Sequence, residues 1–237
     1  TFGMHYTQDE SYYILDAEDD ACVYIGLKEG VDKEAMERDL RSAEKGEIIF
    51  DAEKYVNKVP VKKHDHILIP AGTVHCSGKN AMVLEISATP YIFTFKLWDW
   101  GRVGLDGLPR PIHIDHGMKN IEWNRTTSWV MENIVNNIKT LEEKDDYKKE
   151  VTGLHELEFI ETERYTTSTF FDVEMTDSVQ QLNLVEGKSA LIESLDGSFP
   201  PFEVHYAESF IIPSSVKKYR VRSTGGKIKV VAAFVRN

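Results

Sequence analysis

Ile69-Pro70-Ala71-Gly72-Thr73-Val74-His75 is the stretch on which the reading of this chain turns. The apolar run Ile67-Leu68-Ile69 forms a short strand that ends at Pro70, which has no amide hydrogen to continue a ladder. Gly72 permits a tight reversal, and His75 starts the next strand pointing into whatever the turn encloses.

The pattern returns later in the chain. Val61 to His75 aligns without a gap against Val204 to Lys218, each with a polar turn, a three-residue apolar strand, a proline and a small-residue turn. This register sets Lys218 where the first copy has His75. Either the halves are two copies of one β-barrel, with a metal-capable residue kept only in the first, or two common strand-turn units happen to look alike.

Outward from these two units the chain reads as short strands punctuated by Gly and Pro. Residues 11–15 and 21–27 are rich in β-branched and aromatic side chains and flank an acidic turn. Asp32 can cap a helix over 33–45, where Ala35, Met36, Leu40 and Ala43 recur at helical spacing. Strands are expected at 47–50, 59–61, 67–70, 81–86 and 93–97. Residues 101–111 are too dense in Gly and Pro for a regular element and form a surface loop. Residues 128–149 are polar and read as a solvated connection or short helix, with 142–149 its charged face. Strands resume at 158–162, 166–173, 180–186, 190–194, 209–212, 218–222 and 227–235. Strands this short and frequent indicate a sandwich or barrel rather than βαβ units, so the fold class is mainly β. The expected division is a metal-site barrel over 1–127, a connecting helical and charged segment over 128–150, and a second, metal-free barrel over 151–237.

The 237 residues carry 28 Lys and Arg against 39 Asp and Glu, a formal charge of −11. This balance excludes nucleic acid and anionic membrane as main partners and requires a local basic pocket for any anionic small molecule. No apolar run approaches the roughly 18 residues of a spanning helix, and no charged-then-apolar signal opens the chain. Cys22 and Cys76 read as free thiols in a reducing compartment, and the expected location is cytoplasmic. The composition sets no oligomeric state. The chain opens Thr1-Phe2-Gly3 without an initiator methionine, as a fragment would.

Pro70-Ala71-Gly72-Thr73-Val74-His75 resembles the second motif of the cupin superfamily, Pro-x-Gly-x-x-His, whose histidine is a metal ligand paired with a glutamate from an earlier strand. Asp9-Glu10-Ser11-Tyr12-Tyr13-Ile14-Leu15 resembles the glutamate-bearing element of class I mannose-6-phosphate isomerases. The helix, the Val59-Pro60-Val61-Lys62-Lys63-His64-Asp65 approach, the turn, Leu84-Glu85-Ile86 and Phe95-Lys96-Leu97-Trp98-Asp99-Trp100-Gly101-Arg102 follow in the order of its bacterial tandem-cupin members. The likeness covers about residues 7–115 by motif and the rest by architecture.

The resemblance implies two cupin-like jelly-roll barrels with a few short helices. It also implies an enzyme that interconverts mannose 6-phosphate and fructose 6-phosphate, with one zinc or other divalent ion per chain. Such an isomerisation moves a proton between adjacent carbons through an enediol, and a divalent ion polarises the substrate oxygens. Carried over, the ligands are Glu10 and His75, and the basic residues that meet the small-molecule sugar phosphate are Lys96, where many members have arginine, and Arg102. The family's Gln-Val-His-Pro element, which supplies two more ligands, has no match in this sequence. Either an upstream segment carries that pair and a lysine essential to the family, leaving this chain inactive alone, or His5, five residues before Glu10, is a ligand. The alternative function is a non-catalytic carbohydrate-binding or regulatory relative; a third is another metal cupin such as a dioxygenase.

Other candidates have simpler readings. His64-Asp65-His66 looks like a metal motif but falls on a polar turn. His113, Asp115 and His116 have no ligand spacing and read as exposed or hydrogen-bonded. Trp98 and Trp100 alternate in a strand, one face in the core or bordering a sugar site. Cys76 reads as a buried hydrophobe.

Overall fold

The computed structural model describes residues 8–88, 94–153 and 158–236. It divides into two compact units, residues 1–65 with 69–135, and residues 66–68 with 136–237.

In the first unit β1 (Asp9–Ala17) and β2 (Cys22–Leu27) lead into α1 (Lys33–Glu44). Asp32 caps α1 by accepting from the Ala35 amide, and the helix buries Met36 and Leu40 against Cys22, Tyr24, Leu27 and Tyr55. A short α2 (Ala52–Tyr55) precedes β3 (Val56–Pro60), β4 (His66–Ile69, of which only Ile69 falls in this unit), β5 (His75–Ser77) and β6 (Ala81–Ala88). The strands make two three-stranded sheets, ordered β4-β1-β6 and β3-β2-β5. The helices α3 (Ile114–Asn120) and α4 (Thr127–Asn133) complete the unit.

Two expected strands are absent. Residues 47–50 are irregular: only Phe50 is buried there, Ile49 is 88% exposed, and β-propensity without packing makes no strand. Of the 93–97 run, Phe93 lies outside the described residues and 94–97 form no strand. The Lys96 backbone instead spends its bonds on His113, its carbonyl accepting from the His113 amide at 2.7 Å and its amide donating to Nδ1 at 3.2 Å. Trp98 and Trp100 therefore do not alternate along a ladder, and Trp100 takes a left-handed φ of 56°. Residues 101–111 are the surface loop expected, pinched by a bridge between Val103 and Pro109.

The acidic and basic run after α4 is a hairpin rather than a helix face, formed by β7 (Lys139–Lys144) and β8 (Tyr147–Val151). The Asp146 carboxylate at its tip accepts from the Ser168 amide and the Thr167 and Thr169 hydroxyls, fastening the turn to the link between β9 (Ile160–Thr167) and β10 (Phe170–Glu174), consecutive strands that lie in different sheets. The second unit continues through β11 (Gln180–Glu186), β12 (Ser189–Ser194), β13 (Phe202–His205), β14 (Ser209–Ile212), β15 (Lys218–Ser223) and β16 (Ile228–Val235). Its sheets are β14-β11-β16-β9-β8-β7 and β10-β15-β12-β13, around a core that includes Leu182, Leu184, Ile192, Tyr219 and Val230.

The sequence echo is a structural repeat. Orders β4-β1-β6 and β3-β2-β5 recur as β14-β11-β16 and β13-β12-β15. His64 and Ala207, aligned in the echo, are both left-handed, with φ of 73° and 65°. Their amides donate to Ile14 and Leu184 at 2.8 Å. The acidic residues that follow cap the turn alike, Asp65 accepting from the Lys62 amide and Glu208 from the His205 amide. A bulge interrupts β1 between Ile14 and Asp16 and β11 between Leu184 and Glu186. This register pairs Glu10 with Gln180.

Candidate functional site

The site is built on the Pro70–Thr73 turn of the first unit. Gly72 has a φ of +88°, and a Cβ there would lie 2.8 Å from both the Asn120 carbonyl oxygen and Glu122 Cγ, so the position takes only glycine. The Thr73 amide and hydroxyl both donate to the Pro70 carbonyl, and the Ala71 amide donates to the Asp9 carboxylate at 2.8 Å. Arg125 Nη1 donates to the carbonyls of Pro70 and Ala71 and to Thr73 Oγ1.

His75 leaves this turn with both ring nitrogens engaged. Nδ1 lies 2.8 Å from the Thr73 carbonyl oxygen, which can only accept, so the proton is on Nδ1. Nε2 faces Glu10 Oε2 at 3.2 Å, and the Tyr12 ring packs edge-on at 5.8 Å between centroids. Burial alone pushes the imidazole down, but the hydrogen bond and charge of Glu10, with the Thr73 carbonyl and the Glu85 charge, hold it above its ordinary value.

The same two atoms suit a cation. Neighbouring ligands of a tetrahedral zinc ion lie roughly 3.3 Å apart when each is 2.0–2.1 Å from the metal. With Nδ1 fixed by a carbonyl, Nε2 is the free donor, the usual arrangement for a histidine ligand. Among the described residues no group of three or more His, Cys, Asp and Glu side chains converges. His5, the remaining candidate ligand, lies outside the described residues.

Glu10, His75, Lys96 and Arg102 all line one cleft of about 1000 Å³. Tyr24, Trp98 and Trp100 also line it, with 4.7 Å between the two indole centroids and Tyr24 edge-on to Trp100 at 5.5 Å. Lys96 Nζ and Arg102 Nη1 lie 3.5 and 3.9 Å from the Asp99 carboxylate, and Arg110 Nη1 lies 3.4 Å from it. Three cations on one carboxylate leave a positive patch in an acidic protein, although the pairs themselves are partly exposed and weak.

Among the described residues, His64, His66, His113 and His116 do not line this cleft. His64 Nδ1 pairs with the Tyr13 hydroxyl at 3.0 Å, whereas His66 is fully buried and held down at about 3, by burial first and then by the Arg164 charge. His113 meets the Lys96 backbone, Asp115 pairs with Arg41, and His116 stacks on Phe95. Cys76 is partly buried, and burial pushes its thiol up to about 11, away from nucleophilic use. Sequence reasoning missed Asp99 and Arg125. The three-residue spacing Lys96, Asp99, Arg102 was a usable sign of the first; Arg125 works through backbone carbonyls and leaves no spacing to find.

No protein-family model matches the chain. It is 21% identical over 228 residues to the mannose-6-phosphate isomerase of Streptococcus mutans, covering 94% of this chain and 63% of that protein. Mannose-6-phosphate isomerase ManA of Bacillus subtilis is 29% identical over 113 residues, 48% of this chain and 33% of that one. The chain thus spans less than two thirds of the length of these curated relatives. Among solved structures, the mannose 6-phosphate isomerase of Bacillus subtilis superposes with a TM-score of 0.73 at 18% identity, over 95% of this chain and 64% of that one. A point mutant of phosphomannose isomerase from Salmonella typhimurium gives 0.62 at 10% identity, over 97% and 66%. In sequence and in architecture the chain is thus similar to mannose-6-phosphate isomerases.

Proposed function

We propose that the first-unit cleft is a sugar-phosphate isomerase site that interconverts mannose 6-phosphate and fructose 6-phosphate with one divalent ion, zinc in the first instance. The observation that carries this reading is the convergence of the Glu10–His75 pair and the Lys96–Arg102 patch on a single cleft. Glu10 and His75 Nε2 would hold the ion, which when bound supplies Lewis-acid polarisation of the substrate oxygens. Thr73 keeps the proton on His75 Nδ1, so that Nε2 is the nitrogen offered. Lys96 and Arg102 meet the phosphate, with Asp99 restraining both; the exchange of arginine for lysine at 96 keeps the charge but not the planar fork. Tyr24, Trp98 and Trp100 wall the cleft and exclude water from one side.

The second unit, with Gln180 and Lys218 in place of Glu10 and His75, is read as metal-free and structural. A cytoplasmic location accords with unbridged Cys22 and Cys76 and with the lack, among the described residues, of any helix long and apolar enough to cross a membrane.

A coupled isomerase assay on zinc-loaded protein from the intact gene tests the reading, with Lys96→Ala and Arg102→Ala as variants. Turnover of mannose 6-phosphate, with KM raised in both, is the expected result. Binding of the sugar phosphate without turnover would instead support the non-catalytic carbohydrate-binding alternative, and neither binding nor turnover removes both.

A further inference from the structure

We infer that Arg125 is the positioning residue of the metal pair, a buried guanidinium that fixes the turn from which His75 projects and so sets the affinity of the site for a divalent cation. The inference rests on the metal reading of Glu10 and His75.

Arg125 is 9% exposed and stands over the Trp129 ring at 5.3 Å. Burying a guanidinium is costly unless its donors are met, and charge-assisted bonds are the strong ones. Nη1 spends its donors on one short segment, at 2.6 Å to the Pro70 carbonyl, 2.7 Å to that of Ala71 and 2.5 Å to Thr73 Oγ1. The segment holds both ligands from behind. Its Thr73 carbonyl accepts a hydrogen bond from His75 Nδ1, and its Ala71 amide donates to the carboxylate of Asp9, the residue before Glu10. A shift of this turn moves His75 and β1 together, and ligand orientation of this kind governs metal affinity.

The second unit is an internal control. In the aligned register Val216 stands at the Thr73 position, Lys218 at His75 and Gln180 at Glu10. The hydroxyl that Arg125 uses disappears together with the ligands that it would serve. A purely structural clamp would have no reason to follow them.

The test compares wild type with Arg125→Met and Arg125→Lys. Zinc affinity is measured by competition with a chromophoric chelator, the His75 ring by nitrogen NMR on metal-free protein at a pH where it is neutral, and stability by thermal melting. Wild type should show the single Nδ1–H form. Arg125→Met should lose that uniformity and bind zinc about tenfold to a hundredfold more weakly, with Arg125→Lys in between. Unchanged zinc affinity and ring state, even with a lowered melting temperature, overturn the inference. If Arg125→Met does not fold, Arg125→Lys decides on the same readouts. If wild type binds no zinc, the metal reading falls and the ring state alone decides the role of Arg125.

Discussion

The two units repeat one six-strand kernel down to a bulge and a left-handed turn residue, yet they finish the same place in opposite ways. In the first, Glu10 and His75 face each other at 3.2 Å beside a large cleft. In the second, Gln180 accepts from the Tyr219 hydroxyl at 2.6 Å, and Tyr219 is fully buried in the core. Lys218 turns aside to Glu174 at 3.2 Å. The backbone is permissive, and the side-chain chemistry decides between a site and a closed, satisfied hydrogen bond.

Perturbing aligned positions should break the symmetry in a defined order. Gly72→Ala forces a Cβ against a carbonyl oxygen at a positive φ and should cost about 3 kcal/mol in denaturant melts. Ser215→Ala, at the exposed counterpart, should stay within about 0.5 kcal/mol. Equal costs would show that the two turns are built alike after all.

Buried His66 and half-buried His75 should respond oppositely to acid. His66 is held neutral down to about 3, so the unfolded chain takes up a proton that the fold refuses. Its contribution is intact above about pH 6.5 and is lost as pH falls from there towards 3, at up to ~1.4 kcal/mol per pH unit. Metal-free His75 is raised, so its contribution is full below the unfolded value and is lost as pH rises through the folded one. Replacing His66 by phenylalanine should flatten the acid limb of a stability–pH curve, and an unaltered limb would contradict the assignment.

Smaller effects sharpen the contrast further. Tyr219→Phe strips the buried Gln180 oxygen of its donor and should cost about 1–2 kcal/mol without altering zinc binding. Thr73→Val, which installs the second unit's residue, should cost about 1 kcal/mol through the lost hydroxyl contacts and weaken zinc binding several-fold.

Much of this was legible in the residues. Pro213 and its small-residue turn delimited β14 at Ser209–Ile212 to the residue, and the gapless echo with Val61–His75 anticipated the repeat. His75 was marked by the glycine and proline that its tight turn needs at fixed spacing, whereas Glu10 was named only through the resemblance of the Asp9–Leu15 element to the isomerase family. The run 47–50 misled because β-propensity has no force without packing, and 94–97 because the Lys96 backbone bonds to His113 rather than to a partner strand. The β7–β8 hairpin misled for the converse reason: salt pairs such as Glu143 with Lys148 cross between strands, and along the chain they look like a solvated helix face. Arg125 was invisible because its partners are mostly carbonyls.

The proposed difference between the units is that one holds a metal and the other does not. Zinc titration of wild type beside Glu10→Ala, His75→Ala, Gln180→Ala and Lys218→Ala tests it directly. One zinc ion per chain is expected, lost in the first two variants and untouched in the last two. Zinc retained in both Glu10→Ala and His75→Ala, or lost on changing Gln180 or Lys218, would contradict it.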